Sequence, residues 1–127
     1  MDDKTNDQRL VFDESDLLYR LLGDEILERK MIAAFLVEIP DLILKLKECV
    51  AEGDAIQARL QAHTIRGTSA NLSAGNLYTA ARQVEELCIQ DKLEDCEAGI
   101  DAVQMEFQTF IAVIRSLGLF QDLEEKA

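Results

Sequence analysis

The chain has 127 residues, 48% of them apolar and 30% charged, with one proline and six glycines. That balance suits one ordered domain rather than a disordered chain, long enough to bury a core without disulfides or a metal. A formal net charge of −12 works against nucleic-acid and anionic-membrane partners, both of which would repel the chain.

Other classes fall away on spacing. No apolar run reaches the ~20 residues of a membrane span, and no signal-peptide pattern opens the chain. Cys49, Cys88 and Cys96 are odd in number and show no CxxC spacing, and His63 is the only histidine. They do not make a zinc ligand set, so no metal and no cofactor is expected on this chain. Cys49 and Cys88 fall on apolar helical stripes, which reads as reduced thiols packed in a cytoplasmic protein.

Residues 1–11, MDDKTNDQRLV, read as a loose polar lead-in. Asp13 then looks like an N-cap, with Phe12 and Leu17 placed to form a hydrophobic staple. This first helix is short and ends near Gly23, where Asp24 can cap the next. Asp24 to Glu52 is strongly helical, with Phe35, Ile39, Leu42, Leu46 and Cys49 spaced 4-3-4-3 along one face. Pro40 either kinks this helix or sits in the first turn of another. Gly53-Asp54 pairs a stop with a start.

The third helix spans about Asp54 to Leu72, with Ala55, Ala58, Ala62, Ile65, Ser69 and Leu72 as its inward stripe. Ser73-Ala74-Gly75-Asn76 is turn chemistry. A fourth helix follows, with Leu77, Ala81, Val84 and Cys88 on one side. The last, from about Asp95 to Leu117, carries Ile100, Val103, Phe107, Phe110, Ile114 and Leu117, and Gly118 ends it. Strand-like alternation and phosphate-cradling or zinc-protease motifs are absent. The reading is all-α: an up-and-down antiparallel four-helix bundle over 12–118 with a short extra N-terminal helix, then a tail over 119–127.

On the third helix, at ~100° per residue, His63 points about 130° away from the centre of the Ala/Ile/Leu stripe. It therefore faces solvent, with no packing role. Ile56, Leu60, Gly67 and Ala70 share its face at −7, −3, +4 and +7. An exposed Ile and Leu grouped around one histidine read as a small protein-docking patch. Arg59 and Arg66 flank it at −4 and +3, within reach of an anion held on the ring. Gly67 costs its helix ~1 kcal/mol relative to alanine. One turn from an exposed nucleophile, its missing side chain lets a partner's backbone or a phosphoryl group approach.

An exposed imidazole can present one ring nitrogen as a nucleophile. Acyl or proton-transfer catalysis needs companions, such as a second nucleophile or an orienting carboxylate. Thr64 and Thr68 are near in sequence, but no triad partner can be identified. What remains is a site that accepts a group delivered by another protein and passes it on. Phosphoryl is the natural candidate, with Arg66 offsetting its charge.

AHTIRGTSANLSA, residues 62–74, resembles the core motif of histidine-containing phosphotransfer (HPt) domains, roughly A-H-x-L-K-G-x-x-x-x-[LIV]-G-A. The upstream run from Leu17 to Asp54 and the L-x-x-x-A-x-x-x-E run from Leu77 to Glu85 are similar too. The resemblance covers about Phe12 to Leu117. It implies a phosphorelay intermediate, with His63 as phospho-acceptor, Arg66 steadying the phosphoryl group and Gly67 as the close-approach position. Ile56, Arg59, Leu60, Thr64 and Ala70 would meet the partner. That partner would be a response-regulator receiver domain or a hybrid sensor histidine kinase, with Mg2+ on the receiver. The chain itself would be a monomeric phosphoryl carrier without kinase activity. A rival from another class is an HPt-like module that docks a receiver or kinase as a scaffold or inhibitor and carries no phosphate. Two positions depart from the family pattern: Arg66 replaces the usual lysine, and Ser73 stands where glycine is common.

Overall fold

The computed structural model describes the backbone of residues 3–119 and the side chains of 7–119. Six α-helices follow in order: α1 Asp3–Val11, α2 Glu14–Arg20, α3 Glu25–Ala51, α4 Ala55–Asn71, α5 Gly75–Ile89 and α6 Cys96–Ser116. A single 3-10 turn, Leu93–Asp95, leads into α6. No strand occurs among the described residues. The four long helices close a ring of neighbours, α3 on α4, α4 on α5, α5 on α6, and α6 back on α3.

The boundaries follow from local chemistry. Asp13 Oδ1 accepts from Asp16 N at 3.1 Å, Asp24 Oδ1 from Leu27 N at 3.0 Å, and Asp54 Oδ1 from Gln57 N at 3.1 Å. Each cap satisfies a backbone donor that the first turn leaves unpaired. Gly53, at φ +73°, ends α3 in the left-handed conformation that favours glycine. Pro40 lies inside α3, which runs through it as one helix. Its side is exposed, so the ring faces solvent rather than the core.

The core forms on the expected stripes. Phe35, Ile39, Leu42 and Leu46 are buried from α3, and Ala58, Ala62, Ile65 and Ser69 from α4. Leu77, Ala81, Val84 and Cys88 follow from α5, and Ile100, Val103, Phe107, Phe110 and Ile114 from α6. Phe110 anchors an aromatic cluster, with ring centroids 4.9 Å from Phe35 and 5.4 Å from Phe12. Leu117 departs from its stripe. It caps α6 after the last helical turn and is partly exposed.

The expected lead-in over 1–11 is helical from Asp3 onward. Asp3–Val11 forms a helix that packs on α5 and α6, with Val11 and Phe12 buried. Its polar composition hides the two apolar residues that dock its end. The chain is pinned there by Asp13 N donating to Ser73 O at 3.0 Å. Gly75 gives α1 room, since a Cβ there would lie 3.0 Å from Leu10 O. Residues 1–2 and most of the expected tail, 120–127, lie outside the described residues, whereas Leu119 is buried and donates to Ile114 O at 2.9 Å.

The cysteines are free thiols. Cys88 and Cys96 are buried with their sulfurs 3.9 Å apart, and Cys49 is half-buried. Burial pushes the Cys88 thiol up to about 12, which removes it as a nucleophile.

Candidate functional site

His63 sits midway along α4 with 56% of its side chain exposed, as the stripe geometry requires. On the same face Ile56, Arg59, Leu60, Gly67 and Ala70 are exposed, and Thr64 is half-buried. The structure thus brings the sequence-derived patch onto one surface. A Cβ built on Gly67 meets nothing within 4 Å. No neighbour within the protein requires glycine there, and the space above it is open to a partner. Thr64 spends its hydroxyl on its own helix, donating to Leu60 O at 3.0 Å.

No carboxylate that would orient the ring is evident in the sequence, and the structure supplies one. Glu85 of α5 places Oε2 at 2.9 Å from His63 Nδ1 and Oε1 at 2.6 Å from Arg66 Nε. It is 8% exposed. Burial pushes its carboxyl up, but hydrogen bonds from His63 and Arg66 outweigh that, so the carboxyl lies below the ordinary glutamate value. The signal was faint. Glu85 follows Val84 on the stripe side of α5 and ends the Leu77-to-Glu85 run, yet its partners lie 19 and 22 residues away.

The geometry also distinguishes the two ring nitrogens. Arg66 Nη2 lies 2.9 Å from His63 Nδ1, the same atom that faces Glu85. One nitrogen cannot donate to the carboxylate and accept from the guanidinium at once. Nδ1 is thus the ring nitrogen engaged by the Glu85–Arg66 pair, and Nε2, on the other side of the ring, faces away from both. The Arg66 guanidinium is held by Glu85 and lies 5.8 Å from the Tyr78 ring centroid. A lysine's single ammonium could not span these partners as the planar fork does. Arg66 and Tyr78 join Glu85 in tying α4 to α5 beside the histidine.

An outward Nε2 nucleophile, oriented from behind by a buried carboxylate, on a face with open space beside it, suits group transfer between proteins. The Hpt domain family model matches residues 30–115, from early α3 to the end of α6. The chain belongs to the Hpt domain family. Hpt domains are phosphocarrier modules of phosphorelays rather than kinases.

Solved structures agree on the fold. Histidine-containing phosphotransfer protein B from Pseudomonas aeruginosa PAO1 is 22% identical, with a TM-score of 0.76 over 84% of this chain and 93% of that one. The HPT domain of a sensor hybrid histidine kinase from Shewanella is 16% identical, with a TM-score of 0.70 over 87% and 96%. No curated protein matches the chain. No helix among the described residues is long and apolar enough to cross a membrane.

Proposed function

We propose that this Hpt domain is a phosphorelay intermediate in which His63 Nε2 accepts a phosphoryl group from a receiver-domain aspartyl phosphate, or from a kinase, and passes it to another receiver. The observation that carries this reading is the His63–Glu85 pair on an otherwise open face. The Nε2 lone pair attacks phosphorus, the bond to the aspartate oxygen breaks, and the carboxylate leaves. The ring then bears Nε2–P and Nδ1–H and is positively charged. Glu85, already hydrogen-bonded to Nδ1–H, offsets that charge as it develops. The reverse step regenerates the same hydrogen-bonded ring.

In this reading Gly67 is the clearance for the incoming receiver, and Ile56, Leu60 and Ala70 are the apolar part of its footing. Thr64 lines that footing. Arg59 and Arg66 add positive charge to this face on a molecule whose net charge is −12. Mg2+ belongs to the receiver, and the carrier acts as a monomer in the cytoplasm without kinase activity.

The test is incubation with a phosphorylated receiver. Acid-labile, base-stable phosphate is expected on the wild type and none on His63→Gln. Label that survives His63→Gln sinks the assignment. Docking without labelling of the wild type would favour a non-phosphorylated scaffold instead. A graded test follows from Glu85. Glu85→Ala is expected to slow transfer about tenfold, equivalent to ~1.4 kcal/mol. Glu85→Gln, which keeps an acceptor for Nδ1–H, should slow it less. Stopped-time transfer assays check the order.

A further inference from the structure

The two arginines flanking His63 are not equivalent, and their difference assigns them separate tasks if the chain is the phosphoryl carrier proposed above. Arg66 is committed on the Nδ1 side of the ring. Its Nε donates to Glu85 Oε1 at 2.6 Å, and its Nη2 lies against Nδ1. Turning its head to the far side of the ring would leave a nearly buried carboxylate with one partner in place of two, a costly loss. A phosphoryl group on Nε2 projects away from α5 and from this pair.

Arg59 is placed differently. It lies at −4 from His63, one turn toward the N-terminus of α4, and is exposed. Side chains on a helix lean toward its N-terminus, so the imidazole lies over the turn that carries Arg59 and Leu60. Residues four apart on a helix are neighbours. Among the described residues Arg59 has no hydrogen bond or ion pair of its own. Arg82, the other exposed cation nearby, lies between Tyr78 and Glu85 on α5. That helix runs antiparallel to α4, which puts Arg82 toward the C-terminal side of His63, against the lean of the ring.

We propose that Arg59 binds the phosphoryl oxygens carried on His63 Nε2, while Arg66 acts as a positioning residue that holds Glu85 and, through it, the ring. The replacement of lysine by arginine at position 66 then has a purpose. It locks the orienting carboxylate and hands the phosphoryl contact to the free arginine one turn away.

Side-chain NMR and an equilibrium measurement test the assignment. The whole protein is phosphorylated with phosphoramidate: its P–N bond breaks, Nε2–P forms, and ammonia leaves. The arginine Nε–H signals, assigned through Arg59→Ala, Arg66→Ala and Arg82→Ala, are compared before and after. Phosphorylation should shift and protect the Arg59 signal and leave the Arg66 signal in place. At equilibrium with a phosphorylated receiver, Arg59→Ala should lower the phosphate share on His63 about threefold, the scale of an exposed ion pair. Arg82→Ala should leave it unchanged. A docking contact alone would alter the rate and not that share. A moved Arg66 signal with Arg59 unchanged, or an unchanged share in Arg59→Ala, overturns the division of tasks. Absence of any transfer from the receiver to the wild type instead overturns the carrier reading, which the phosphoramidate spectra do not depend on.

Discussion

Gly67 and Glu85 carry opposite lessons at the scale of single residues. Gly67 was visible because a glycine in mid-helix is locally unfavourable, and the structure shows nothing inside the protein that its missing Cβ accommodates. Gly67→Ala should therefore stabilise the fold by up to ~1 kcal/mol, raising Tm by about 4 °C. It should also slow phosphotransfer several-fold by filling the partner's clearance. A thermal melt and a transfer assay on the same sample check both; faster or unchanged transfer would leave the glycine without a role. Glu85 was not visible as an orienting group, because its place on the stripe side of α5 does not say which residues of another helix it meets. Its meaning lies in the two residues it meets across the helix pair.

The corner between α4 and α5 shows how one helix end recruits another element. Ser73 adopts φ +55°, the left-handed conformation that glycine would take without strain. Its hydroxyl donates to Asp16 Oδ2 at 2.7 Å and accepts from Arg20 Nη2 at 2.6 Å, while Arg20 also donates to Asn71 O. The side chain that departs from the family pattern thus ties α2 to the corner. Ser73→Ala keeps the strained backbone and loses both bonds, and urea unfolding should show a loss of about 1 kcal/mol. Ser73→Gly, relieved of strain, should lose less.

At the start of α3, Glu28 is buried with Oε2 lacking any partner. Burial, then the hydrogen bond and charge of Glu14, raise its carboxyl from 4.5 to about 8, with Glu25 adding to this and Arg29 opposing it. The folded state therefore binds a proton that the unfolded chain releases near 4.5. Stability from this group is present at low pH and is lost as pH rises from about 4.5 through about 8. Glu28→Gln should flatten that loss, melting at least ~4 °C above wild type at pH 8 and close to it at pH 5. Parallel melts at the two values decide it.

At the scale of the whole molecule, the site depends on how closely α4, α5 and α6 are stacked. Gly99 lets α6 lie against α5 so tightly that a Cβ there would come within 2.9 Å of Val84 Cγ2, next to Glu85 in sequence. Gly99→Ala should lower stability by about 1–3 kcal/mol through overpacking. It should also slow transfer in proportion to how far α5 is pushed from His63. Calorimetry and the transfer assay read the two effects. A variant with wild-type stability would mean that the bundle absorbs the methyl group without moving the helix.

The all-α class, the capped boundaries at Asp13, Asp24 and Asp54, and the outward direction of His63 were legible in sequence. Each is set by period and by residues within one helical turn, and such short-range physics is written in neighbours. The helix over Asp3–Val11 was not, since its few apolar residues gain their meaning only from the surface of α5 and α6. Nor was the engagement of His63 Nδ1 or the capture of Arg66, because the carboxylate responsible arrives from another helix. Periodicity decided which way His63 faces; packing of α5 against α4 decided which of its nitrogens is engaged within the protein.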